Sequence, residues 1–70
     1  MNLELLNDVI DRSKLTRTAI AESLGLSRQG LLNKTTGIRE FKGSEIKRLI
    51  QILELDEQQQ NAIFFADDVD

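Results

Sequence analysis

The 70-residue sequence contains no cysteine and no histidine. Their absence removes a disulfide framework, a thiol nucleophile, an imidazole base and the usual zinc ligands. Carboxylates, hydroxyls and lysines remain, and none of them cluster, so neither an enzyme, nor a cofactor, nor a small-molecule substrate is expected. Proline is absent too, and there is no low-complexity tract or repeat to mark a linker. No apolar run approaches the ~18–20 residues that span a bilayer, and Glu4 and Asp8 stand where a signal peptide needs basic side chains. A cytoplasmic protein with no membrane partner is therefore expected. A chain this short makes a single domain, expected over residues 1–66 with an acidic frayed tail at 67–70. Its core supplies only ~3–5 kcal/mol, which makes dimerisation useful to it.

The formal charge is −3, a sign that by itself argues against binding phosphate. Its distribution argues the other way. All nine basic residues lie between Arg12 and Arg48, with only Glu22, Glu40 and Glu45 among them, so this block carries +6. Acidic side chains dominate both ends. A sign-segregated surface steers a charged partner even when the total is unfavourable, although the same pattern also arises from solvated faces alone.

Apolar periodicity is helical throughout, and no segment alternates as a strand would. Leu3, Leu6, Val9 and Ile10 mark a first helix over about residues 2–13. Thr16 and Ser27 are N-cap candidates for a second and a third helix, since each hydroxyl can accept from a first-turn amide. Leu15 with Ile20, and Leu26 with Leu31, have the hydrophobic-staple spacing around those caps. Gly25 falls where a left-handed residue must end one helix and turn into the next, and Gly37 suits the end of the third. Ile38 and Phe41 anchor the following loop, which leads to Ser44 as the expected cap of a fourth helix bearing Ile46, Leu49, Ile50 and Leu53. Asp56 and Gln59 form a capping-box pair for a fifth, carrying Ala62, Ile63 and Phe65. The expected architecture is all-α, a compact bundle of about five short helices.

Helices of about eight residues do not persist alone, so packing of Ile20, Ala21, Leu24, Leu26 and Leu31 must hold the second and third together. With Leu31 facing inward, ~100° per residue turns Gln29, Asn33 and Thr36 outward, flanked by Arg28 and Leu32. Arg, Gln and Asn are the side chains that pair bidentately with base edges in the major groove, and an apolar side chain suits a thymine methyl. Arg28 and Gln29 are also ordinary solvated helix residues, and Leu32 reads equally as a partly buried core residue. Lys47 and Arg48 fit the polar face of the fourth helix.

Residues 15–37, reading LTRTAIAESLGLSRQGLLNKTTG, resemble the helix-turn-helix of phage repressor and Cro proteins, through Ala21 at the helix contact, Gly25 at the turn, Leu26 after it and Leu31 facing inward. Continued through GIREFKGSEIKRLIQIL, the chain looks most similar to small Cro-like regulators of phages from Gram-positive bacteria, in which a Phe precedes the fourth helix as Phe41 does. The resemblance covers about positions 3–55 and implies a lambda-repressor-like fold acting on double-stranded operator DNA near the bacterial nucleoid. It implies base-edge contacts for Arg28, Gln29, Asn33 and Leu32. Backbone contacts fall to Arg17, Thr16, Ser27, Thr36, Arg39 and Lys42, though the last two also suit a plain surface loop. Two residues depart from the pattern. Lys34 replaces an inward apolar residue, so its methylenes are expected to cover the core while the ammonium escapes. Gly30 costs ~1 kcal/mol against Ala inside a helix, which points to close backbone approach or to stiffening on binding.

Phe64 and Phe65 point ~100° apart on a helix, so a small monomer is not expected to bury both. Together with Ile63 they are the expected homodimer contact. A protein-interaction module on the same fold, such as an antitoxin or anti-repressor, is the alternative function.

Overall fold

Five helices follow one another along residues 1–65, the part of the chain that the computed structural model describes: α1 (Leu3–Arg12), α2 (Arg17–Leu24), α3 (Arg28–Thr35), α4 (Gly43–Ile52) and α5 (Glu57–Phe64). No strand occurs among the described residues, so the all-α class holds. The acidic run 67–70 lies outside them. No helix among them is long and apolar enough to cross a membrane.

Side chains that bond back to the first turn start four of the helices. Asn2 Oδ1 accepts from the Leu5 amide, Thr16 Oγ1 from Ala19 and Ser27 Oγ from Gly30, each at 3.0 Å. Asp56 and Gln59 make the reciprocal box, at 2.8 and 3.0 Å. Each bond satisfies an amide that the helix cannot pair internally.

The start of α4 corrects the expectation placed on Ser44. The helix begins before it, with Lys42 at the N-cap, and a lysine has no side-chain acceptor to offer. Glu45, three residues on, supplies half of a capping box instead, its Oε1 accepting the Lys42 amide at 2.8 Å.

Between α2 and α3 the chain turns on a Schellman arrangement. Gly25 sits at φ +72°, its amide donates to Glu22 O at 3.1 Å, and the Leu26 amide donates to Ala21 O at 2.8 Å. A side chain at Gly25 would meet no neighbour, so the constraint is the left-handed backbone itself.

One apolar cluster joins all five helices. Leu6 and Ile10 of α1, Ile20 and Ala21 of α2, Leu31 of α3 and Leu49 of α4 are buried in it. Ile63 and Phe64 of α5 complete it, with Phe41 and Leu55 from the loops. Helix α2 packs on α3 and α4, while α1 packs on α5 and α3. Polar ties reinforce these contacts: Asn7 Nδ2 donates to Thr35 O at 3.0 Å, and Arg48 Nε to Ser23 O at 3.3 Å near the end of α2. The Asn2 amide donates to Ile63 O at 2.6 Å, linking the start of α1 to the end of α5.

The last helix corrects the expected apolar stripe and the expected dimer contact. Ile63 is 0% exposed and Phe64 7%, so both belong to the protomer's own core and are not surface. Phe65, at the C-cap just after α5, is 58% exposed and meets Phe64 edge-on, with ring centroids 6.4 Å apart. Adjacent positions do diverge as expected, but the outward ring alone is available to another chain.

Candidate nucleic-acid interface

The N-terminal half of α3 owes its exposure to Leu31, which is 1% exposed and fixes the roll of the helix. With Leu31 inward, Gln29 lies exposed on the opposite side, Arg28 and Leu32 are exposed on its flanks, and Asn33 is half-buried. Leu32 is 49% exposed, so the core does not claim it. Arg17 joins this face from the first turn of α2. Together, Arg17, Arg28, Gln29, Leu31 and Leu32 line an open groove of about 420 Å³.

Two polar contacts organise the groove. Gln29 Nε2 donates to Asn33 Oδ1 at 3.0 Å, one helical turn along the same face. Arg17 Nη2 lies 2.8 Å from Asp11 Oδ1, an exposed ion pair between α2 and α1. Asp11 was not among the residues that sequence reasoning singled out. Its partner sits six positions away across a turn, outside the i,i+4 pattern by which ion pairs are read from sequence.

The expected backbone-contacting residues divide by what their donors already do. Phosphate oxygens only accept, so a hydroxyl must have its proton to give. Thr16 and Ser27 use their oxygens as caps and keep that proton. Thr36 Oγ1 instead donates to Leu32 O at 2.7 Å, so its hydroxyl must rotate away before it can meet a phosphate. Arg39 and Lys42 are exposed in the 36–42 loop, but the structure does not bring Arg39 into the α3 groove. It lines a separate hollow of about 380 Å³ with Leu3, Gly37, Phe41 and Phe64.

Lys34 corrects the expectation that its ammonium escapes. Its side chain is only 11% exposed and its Nζ lies 2.6 Å from Oε1 of Glu45, itself 8% exposed. Burial pushes the Glu45 carboxyl up. Hydrogen bonds from Lys34 and the Lys42 amide, with the charge of both lysines, outweigh that and hold it below the ordinary carboxylate value. The pair fastens the end of α3 to the start of α4. Gly30 has a local crowding as well: a Cβ there would lie 3.2 Å from Ser27 Oγ, the oxygen that caps the helix, and 3.6 Å from Leu26 Cβ, just before the helix.

No group of three or more metal-ligating side chains occurs among the described residues. No protein-family model, curated protein or solved structure matches this chain.

Proposed function

We propose that this protein is a sequence-specific regulator of transcription that binds double-stranded DNA, with α2 and α3 acting as a helix-turn-helix and α3 entering the major groove. The observation that carries the reading is the groove-lining face of α3. Arg28, Gln29 and Leu32 line the groove together and half-buried Asn33 is bonded to Gln29, side-chain types that suit base-edge recognition. The tight turn at Gly25 supports it, since it fixes α3 against α2, and Arg17 from the start of α2 lines one groove with Arg28, Gln29 and Leu32 of α3. The resemblance to Cro-like phage regulators makes a repressor of a genetic switch the specific form of this proposal.

Such readers act as dimers on pseudo-palindromic sites whose half-sites lie ~34 Å apart. Phe65 is the exposed apolar side chain at the end of α5 through which a second copy would be met. Sedimentation should show a dimer, free or on operator DNA; a monomer under both conditions refutes this part.

Selection from a pool of random duplexes, followed by mobility shift, tests the function. A defined site should be enriched, and Arg28→Ala should lower affinity for it ~5- to 150-fold while the protein melts normally. Failure to enrich any sequence refutes DNA reading and leaves the protein-interaction module as the reading to pursue.

A further inference from the structure

The hydrogen bond between Gln29 and Asn33 has a consequence for which base is read, resting on the proposed role of α3 in DNA recognition. Gln29 Nε2 gives one of its two hydrogens to Asn33 Oδ1 at 3.0 Å. That bond decides which way round the Gln29 amide lies. Its remaining edge presents one donor, the second Nε2 hydrogen, and one acceptor, Oε1. Adenine offers the complement in the major groove, an acceptor at N7 and a donor at N6. Guanine offers two acceptors, N7 and O6, so Oε1 would face O6 with no proton between them. Cytosine offers a donor alone, and thymine an acceptor beside a methyl group.

We propose that Gln29 and Asn33 read a single base pair as a coupled unit, and that the pair they select is A·T with adenine facing Gln29. Asn33 acts here as a positioning residue: it holds the Gln29 amide in the orientation that matches adenine, before DNA arrives. Leu32, exposed on the same face three positions after Gln29, provides the apolar surface for a thymine methyl at that or a neighbouring step. Without Asn33 the Gln29 amide would turn freely and accept guanine with its two hydrogens, so base preference should relax even though Gln29 is intact.

The test uses the full chain and a random duplex pool, with selection repeated for Gln29→Ala, Asn33→Ala, Asn33→Asp and the double alanine variant. The wild type should enrich a site containing an A·T pair whose preference disappears in Gln29→Ala, with affinity falling ~5- to 150-fold. Asn33→Ala should relax the preference at that same pair, and the double variant should bind no worse than Gln29→Ala by more than about twofold. Asn33→Asp keeps an acceptor for Gln29 Nε2, so it should bind all DNA less tightly yet retain the adenine preference. In the selected site, 7-deazaadenine, which lacks N7, and purine, which lacks the exocyclic amine, should each weaken wild-type binding. Enrichment of G·C at the pair lost in Gln29→Ala overturns the proposal. So does a full adenine preference in Asn33→Ala, or single losses that multiply in the double variant. Each of these leaves DNA reading standing, whereas a wild type that enriches nothing removes both.

Discussion

Replacing Lys34 with Met should be among the most damaging single changes in this protein. It leaves Glu45, 8% exposed, as a buried carboxylate without its counter-ion 2.6 Å away. Removing one member of a buried pair costs ~3–5 kcal/mol. The Lys42 amide still donates to Glu45 at 2.8 Å, so we expect the lower figure, about 3 kcal/mol. For a domain of this size that lowers the melting temperature by about 12–24 °C. With a core that supplies only ~3–5 kcal/mol, the variant should keep at most about 2 kcal/mol and stay folded only at low temperature. Changing both residues to Met removes the stranded charge. It sacrifices the half capping box, worth ~1 kcal/mol, so the double variant should be more stable than Lys34→Met alone. Urea titration and thermal melting by circular dichroism read this directly. If each single variant costs under ~1 kcal/mol and the two add, the pair is solvated and the burial argument fails. Acid supplies a second check. The Glu45 carboxyl is held below its ordinary value of 4.5 in the folded chain, so its contribution is complete above that value and is lost as pH falls through the lower, folded one. The gap in stability between wild type and the double variant should accordingly shrink as the pH falls below 4.5.

Other outcomes follow from the same structure. Gly25→Ala forces a side chain into φ +72° and should cost ~1–2 kcal/mol, although a Cβ there has open space. Gly43→Ala, at the start of α4 with nothing within 4 Å, should stabilise by ~0.5–1 kcal/mol. Gly30→Ala should gain no more than a few tenths of that, because its Cβ crowds the capping Ser27 Oγ at 3.2 Å; a full gain of ~1 kcal/mol would show that the cap does not matter. Glu54 is the one non-glycine residue with positive φ among the described residues, at 52°, and Glu54→Gly should raise stability by ~0.5–1 kcal/mol in thermal melts. Asp11→Asn releases Arg17 from its 2.8 Å partner and should tighten binding to random duplex DNA and steepen its salt dependence, while Arg17→Ala should weaken cognate and random DNA alike. A salt slope unchanged in both variants would take Arg17 out of the phosphate contacts.

What the sequence made legible was local. The caps at Thr16, Ser27 and Asp56 were found because a hydroxyl or carboxylate reaches an amide three residues on, a distance set by the helix itself. Leu31 could be turned inward because its staple with Leu26 and the turn at Gly25 are close in the chain. Ser44 failed for the opposite reason. The start of α4 is decided by Glu45, and Glu45 is held by Lys34 from another helix, eleven positions back. The same distant contact defeated the expectation that the Lys34 ammonium reaches water. Phe64 and Phe65 are an intermediate case: adjacency told that the two rings diverge, but the packing of α5 on α1 decided which one entered the core. On the α3 face, side-chain types were readable from the wheel, whereas the bond from Gln29 to Asn33 and the ion pair of Arg17 with Asp11 needed rotamers and neighbouring helices that no periodicity encodes.

The 2.6 Å bond from the Asn2 amide to Ile63 O nearly closes the chain on itself. This has a practical consequence for a protein that contains neither tryptophan nor tyrosine and so offers almost no intrinsic fluorescence to report its folding. A donor dye beside Asn2 and an acceptor beside Phe65 would lie a few residues' breadth apart in the native state. An unfolded chain of this length has a radius of gyration of about 25 Å, so its ends drift well beyond that separation. Energy transfer between the two dyes would therefore follow the docking of α5 onto α1 in real time, and would separate it from the formation of helices that circular dichroism detects.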